Sequence, residues 1–166
     1  MRVVRCKYIR TMPRHPSLIP LSHDHHHGLA LALRCRKQAL GRLKPLGIQG
    51  LKERAQELKE FFRASLAPHF AAEESALFPF MRASIPESEN LIQELLAEHE
   101  QLRGWVGLLE DEKHPAKLLF EAADLLERHI RREERELFPL FEAHAASSGA
   151  ESVGKEIAKM IKHEHP

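Results

Sequence analysis

The chain has 166 residues, of which 43 % are hydrophobic and 30 % charged, with 25 basic and 24 acidic side chains. This composition is typical of one globular domain with a real core, and the net charge of +1 predicts neither a nucleic-acid partner nor a membrane partner. The sequence has no secretory signal and only two cysteines, too few for a disulfide framework, so we expect a cytoplasmic protein.

The spacing of apolar residues predicts four long helices and a short fifth one, and no strand alternation competes with it. The helices are expected at about 22–40, 51–83, 87–109, 115–145 and 151–163. Short connections between long helices favour an all-α, antiparallel up-down four-helix bundle. We therefore divide the chain into an irregular leader (1–17), the bundle (18–146), and a linker with a short C-terminal helix (147–166).

One stretch of the sequence occurs twice, once in the second predicted helix and once in the fourth. The copies HFAAEESALFPF and HIRREERELFPL share the pattern His-x-x-x-Glu-Glu-x-x-Leu-Phe-Pro. A histidine and a glutamate four residues apart lie on one face of a helix. His69 with Glu73, and His129 with Glu133, are therefore predicted to point two imidazoles and two carboxylates toward one place.

The first and third helices each carry a histidine in phase with their apolar residues. On the third helix this is His99. On the first helix the run HDHHH offers four candidates, and His26 is favoured because it shares a face with Leu29 and Leu33. His25 remains the alternative.

Together these positions predict a metal site. Imidazole suits iron, zinc and copper, and carboxylates can bridge two ions. Burying six polar groups in a small core is costly unless they are paired or bound to metal. Glu73 and Glu133 are the natural bridges between two ions, and six protein ligands leave coordination positions open. The predicted ligands are His26, His69, Glu73, His99, His129 and Glu133.

These motifs, with both Leu-Phe-Pro repeats, resemble the hemerythrin-like (HHE cation-binding) family over about residues 13–145. The resemblance implies a four-helix bundle that holds two iron ions as a non-haem di-iron centre with an oxo or hydroxo bridge. It implies the same six residues as iron ligands and a small ligand such as dioxygen or nitric oxide.

The third helix departs from one branch of that family. The oxygen-carrying hemerythrins of marine invertebrates have two histidines four apart there, whereas the positions four from His99 are Leu95 and Arg103. The set of four histidines and two glutamates resembles instead bacterial members such as the iron-centre repair proteins. The expected function is to bind or sense oxygen or nitric oxide, or to handle iron under oxidative or nitrosative stress.

Two other functions remain open from the sequence. One is a di-iron enzyme that reduces nitric oxide, oxygen or peroxide at the open coordination positions. The other is a zinc-bound or metal-free helical interaction module, in which an exposed tail helix would form a homodimer. The sequence contains no glycine-rich phosphate loop and no serine nucleophile elbow.

Overall fold

The computed structural model describes residues 13–109, 113–144 and 148–161, and these residues contain helices but no strand. The prediction of an all-α four-helix bundle with a short C-terminal helix is confirmed. A short 3-10 turn, Pro16–Leu18, leads into the first helix. The helices are α1 (Ile19–Ala39), α2 (47–84), α3 (Glu89–Leu108), α4 (115–144) and α5 (Ser148–Met160).

The helix ends differ from the predicted ones by a few residues. The first helix begins at Ile19 with Pro20 in its first turn, where a proline is tolerated because that position has no helical hydrogen bond to lose. It ends at Ala39, and Gly41 after it has a φ of 67°, which lets the N–H of Arg42 donate to the carbonyl of Lys37. Most of the predicted leader and the end of the predicted tail, residues 1–12 and 162–166, lie outside the described residues.

Prolines inside α2 and α4 are accommodated by wider, π-helical turns. These turns are Phe62–Leu66, Glu73–Leu77 and Glu133–Leu137, and Pro68, Pro79 and Pro139 each stand two residues after one. A proline ring clashes with the carbonyl four residues back in a regular α-helix. In the π turn the N–H of Phe78 instead donates to the carbonyl of Glu73, five residues back. Both helices therefore run on through their prolines, and two of the π turns begin at the repeated glutamates.

The core consists of two apolar layers, one at each end of the bundle. The first layer joins the C-terminal halves of α1 and α3 to the N-terminal halves of α2 and α4, as antiparallel neighbours require. The second joins the opposite halves and includes four phenylalanine and methionine side chains: Phe78, Met81, Phe138 and Phe141. Cys35 lies in the first layer, where burial raises the pKa of its thiol to about 12. It is a packing residue of this layer.

The fifth helix packs on the second layer of its own chain. Its buried side chains are Ala150, Val153, Ile157 and Ile161. The hydroxyl of Ser17 donates a hydrogen bond of 2.8 Å to the carbonyl of Ala150. The apolar face of α5 is therefore covered by its own chain, and a homodimer stays a prediction. No helix among the described residues is both long and apolar enough to cross a membrane.

Candidate metal centre

Six side chains from the four long helices meet between the two apolar layers. They are His25, His69, Glu73, His99, His129 and Glu133, and none is more than 2 % exposed. They form two groups that share both glutamates, one completed by His25 and His69 and the other by His99 and His129. Within each group the potential ligand atoms all lie within 4.8 Å of one another.

Each glutamate directs one carboxylate oxygen to each group. Oε1 of Glu73 lies 3.3 Å from Nε2 of His69, and its Oε2 lies 3.3 Å from Nε2 of His99. Oε2 of Glu133 lies 3.0 Å from Nε2 of His25, and its Oε1 lies 3.1 Å from Nε2 of His129. This is the arrangement of two carboxylates placed to bridge two cations, because each spans both groups.

The structure corrects the predicted residue on α1. His26 is exposed, and His25 occupies the place expected for it. The buried side of α1 combines leucines with small and polar residues, and the His25 stripe continues through Gly28, Ala32 and Cys35. Leu33, which favoured His26 in the sequence, is 45 % exposed. The other five predicted residues do meet in the centre.

The glutamate after each repeated ligand position holds a histidine of the neighbouring helix. Oε1 of Glu74 lies 2.7 Å from Nδ1 of His99, and Oε1 of Glu134 lies 2.8 Å from Nδ1 of His25. A carboxylate only accepts hydrogen bonds, so Nδ1 of each ring carries a hydrogen and Nε2 points inward. These contacts fix the ring orientation and make Nε2 the atom available to a cation.

Two further carboxylates, which the sequence reasoning missed, hold the remaining histidines. Oδ2 of Asp24 lies 3.2 Å from Nδ1 of His69, and Oε2 of Glu98 lies 2.8 Å from Nδ1 of His129. Both directly precede a histidine that faces the centre, on α1 and on α3. In the sequence these carboxylates are recognisable as acidic residues directly before a histidine, in Asp24-His25 and Glu98-His99. The first of these dipeptides also favours His25 over His26.

Arginines pair with Glu74, Glu98 and Glu134. Arg103 donates to Glu74 at 2.7 Å, Arg132 donates to Glu98 at 3.0 Å, and Arg14 pairs with Glu134. Each arginine stands on the solvent side of a partly exposed carboxylate, so it limits the rotamers available to that side chain. The histidines are thus held from outside by ordered charge pairs.

The charges inside the centre compensate one another when no metal is bound. Burial lowers the pKa of His69, but the Glu73 carboxylate and other contacts outweigh it and raise that pKa to about 10. Burial likewise lowers the pKa of His129, and Glu133 and neighbouring groups raise it to about 10. Burial raises the pKa of Glu133, yet the paired histidines bring it well below its usual range. The metal-free centre therefore holds imidazolium–carboxylate pairs at neutral pH.

Those pairs do not satisfy the hydrogen-bonding capacity of the centre. Among the described side chains, Nε2 of His99, Nε2 of His129 and all four oxygens of Glu73 and Glu133 are buried and make no hydrogen bond of good geometry. Nε2 of His25 also lies only 3.2 Å from Nε2 of His69. Two lone pairs at that distance repel unless a proton or a cation lies between them. The donor set, two imidazoles and two carboxylate oxygens in each group, fits a first-row transition ion.

Phenylalanine rings of the repeats wall the centre. Phe78 stacks on His99 with ring centroids 5.8 Å apart, and Phe138 stacks on His25 at 5.2 Å. Phe70, next to His69, stacks more closely on His99, at 3.7 Å. The phenylalanines of the Leu-Phe-Pro motif therefore pack around the site, and the low polarity of these surroundings strengthens electrostatic interactions inside it.

Comparison with known sequences and structures gives one finding. The family model of the hemerythrin HHE cation-binding domain matches residues 17–141, which is 125 of the 166 residues. No curated protein and no solved structure matches the chain. The matched region contains all six residues of the centre and the four carboxylates that hold the histidines.

Proposed function

The chain belongs to the hemerythrin HHE cation-binding domain family, and from that we propose that its centre holds two iron ions and binds dioxygen or nitric oxide in the cytoplasm. The observation that supports two ions rather than one is the division of the glutamate oxygens. Glu73 and Glu133 each face both histidine pairs, at 3.0 to 3.3 Å. One ion at the middle of a single group would leave the other group's donors unused.

The proposed ligand set contains His25 in place of His26, the residue expected on α1. His25 and His69 would hold one ion, His99 and His129 the other, and the two glutamates would bridge them. His26 is excluded because its side chain is exposed. The buried position of the donors keeps bulk water from the ions, and the Nδ1 contacts keep all four Nε2 atoms directed inward.

The number of protein donors supports a role in binding small molecules. Iron bound here would be redox-active, and the six protein ligands would leave some of its coordination positions unfilled. Leu95, one turn before His99, is buried in the apolar layer, and Arg103, one turn after it, pairs with Glu74. Neither adds a ligand, so coordination positions on the ions would stay open for a diatomic molecule. A sensor of oxygen or nitric oxide, or a protein that handles iron under stress, needs such open positions.

The same open positions favour a second candidate, a di-iron enzyme that reduces nitric oxide, oxygen or peroxide. The two functions differ in turnover. Reduced protein supplied with an electron donor should consume nitric oxide continuously if it is an enzyme. Uptake that stops at a fixed amount per chain and reverses on removal of the gas supports binding.

The deciding experiment for the metal is anaerobic purification with metal analysis and an optical spectrum before and after reduction. We expect two irons per chain and charge-transfer bands in the oxidised protein that disappear on reduction. Glu73→Ala should lose most of this iron because it removes a donor from both groups. Glu136→Ala, an exposed glutamate on the π turn of α4, is the matched control and should keep it. Zinc without these bands, or a protein that takes no metal, would refute the proposal.

A further inference from the structure

The face of α1 opposite the buried histidines carries a second pair of histidines. His23 and His27 are exposed and four residues apart, so they lie one above the other on the helix. Their ring centroids are 4.8 Å apart. The buried pairs have the same spacing, since the centroids of His25 and His69, and those of His99 and His129, are also 4.8 Å apart.

This exposed pair lines a cavity of about 530 Å³ between α1 and α2. The charged side chains of that cavity are three carboxylates, Asp24, Glu57 and Glu60, and one guanidinium, Arg34. Arg34 pairs with Glu57, so the remaining formal charge of the lining is negative. Two imidazoles beside carboxylates form a donor set that attracts divalent transition ions more than alkali or alkaline-earth ions.

One side chain that lines the cavity also contacts the buried centre. Asp24 lines the cavity, and its side chain is only 3 % exposed. On its inner side Oδ2 of Asp24 lies 3.2 Å from Nδ1 of His69. An ion held at the cavity would therefore be separated from His69, a proposed iron ligand, by the carboxylate of Asp24.

We propose that His23 and His27 form a second, surface site for a divalent transition-metal ion, and that metal reaches the buried centre from this site past Asp24. The surface site rests on the histidine pair and the cavity alone. The route rests in addition on the proposed function, because it requires a centre that takes up iron.

The surface site is tested with Ni²⁺ alone, by equilibrium dialysis of the full-length protein and metal analysis. Wild-type protein should bind one more Ni²⁺ per chain than the double variant His23→Ala/His27→Ala. His26→Ala is the matched control, since His26 belongs to the same run, is exposed and does not line the cavity. It should keep the full Ni²⁺ content. Equal Ni²⁺ in the wild type and the double variant, or an equal loss in the control, would overturn the site. Thermal unfolding of all three proteins shows whether any variant is simply misfolded, and His27→Ala alone then serves as the milder test.

The route is tested by the rate at which anaerobic, metal-free protein takes up Fe²⁺. The double variant should load several-fold more slowly than the wild type and reach the same final iron content, because the buried ligands are unchanged. An unchanged rate would refute the route and leave the Ni²⁺ result standing. If neither protein takes up iron, the proposed function fails and the route with it, while the Ni²⁺ difference still decides the surface site.

Discussion

Replacement of Glu98 by glutamine tests whether the outer carboxylates support metal binding. Oε2 of Glu98 lies 2.8 Å from Nδ1 of His129, and its Oε1 accepts from Arg132 at 3.0 Å. Glutamine keeps the shape and one acceptor oxygen but removes the negative charge. His129 would then donate to a neutral group and become a weaker ligand at Nε2.

The magnitude follows from the kind of hydrogen bond that is lost. Hydrogen bonds to charged groups contribute about 1.5–3 kcal/mol and neutral ones about 0.5–1.5 kcal/mol, so the change costs about 1–1.5 kcal/mol. That corresponds to a loss of about tenfold in metal affinity, at the low end of the 10- to 100-fold range known for such partners. The low end is appropriate because the Glu98 side chain is 15 % exposed and not fully desolvated.

The assay is an anaerobic titration of metal-free protein with Fe²⁺ in competition with a chromophoric chelator. Glu94→Gln is the matched control, because Glu94 also pairs with Arg132, one helical turn from Glu98, but its 58 % exposed side chain is not one of the four carboxylates that hold the buried histidines. It should bind iron as the wild type does. If Glu94→Gln and Glu98→Gln lose the same affinity, the effect is one of surface charge and the argument from His129 is refuted.

Four further predictions follow from the centre and from the tail helix. His25→Ala should lose iron while His26→Ala keeps it, and metal analysis that finds the reverse would move the ligand back to the exposed side of α1. His69 and His129 have a pKa of about 10 and are therefore protonated in the metal-free protein at pH 7.5. Metal loading should release about two protons per chain. Release near zero in a weakly buffered titration would show that both rings are already neutral. Their folded pKa lies above the usual value of 6.5, so the stability they give the metal-free protein is full below pH 6.5 and is lost as the pH rises toward 10, which urea unfolding across that range would detect. Gly154→Ala should lower the free energy of unfolding by about 1–3 kcal/mol, because its Cβ would lie 2.9 Å from the backbone Cα of Ser17. Gly104→Ala, whose Cβ would have nothing within 4 Å, should raise the free energy of unfolding by up to about 1 kcal/mol. Equal effects of the two variants in urea unfolding would contradict the packing of α5.

The sequence sufficed for the bundle and for most of the centre, because those follow from helical periodicity. The repeated His-x-x-x-Glu pattern fixes which residues of α2 and α4 share a face, whatever the packing around them. In α3 the apolar stripe around His99 is unambiguous, since Ile92, Leu95, Leu102 and Val106 are all buried.

In the first helix the apolar residues lie on more than one side, so they do not identify its buried side. Leu21 and Leu31 are buried, whereas Leu29 is partly exposed and Leu33 is exposed. Gly28 is buried, and a Cβ there would come within 2.8 Å of Cδ1 of Ile130, so the end of that side chain would have to shift; a hydrophobicity pattern counts this position as neutral. The π turns escaped prediction for a related reason. A proline inside a helical pattern indicates a disruption, but the pattern does not say whether the backbone kinks or widens.

The hydrogen bonds to the four Nδ1 atoms pass from each long helix to the next and close on themselves. Asp24 on α1 holds the histidine of α2, Glu74 on α2 holds that of α3, Glu98 on α3 holds that of α4, and Glu134 on α4 holds that of α1. Only two of these four bonds form within a helical hairpin, α1 with α2 or α3 with α4. The other two require the hairpins to dock in the correct register. A displacement of either hairpin by one helical turn would misalign both at once. The centre is therefore complete only when the two hairpins have docked in register, and iron binding would report that docking.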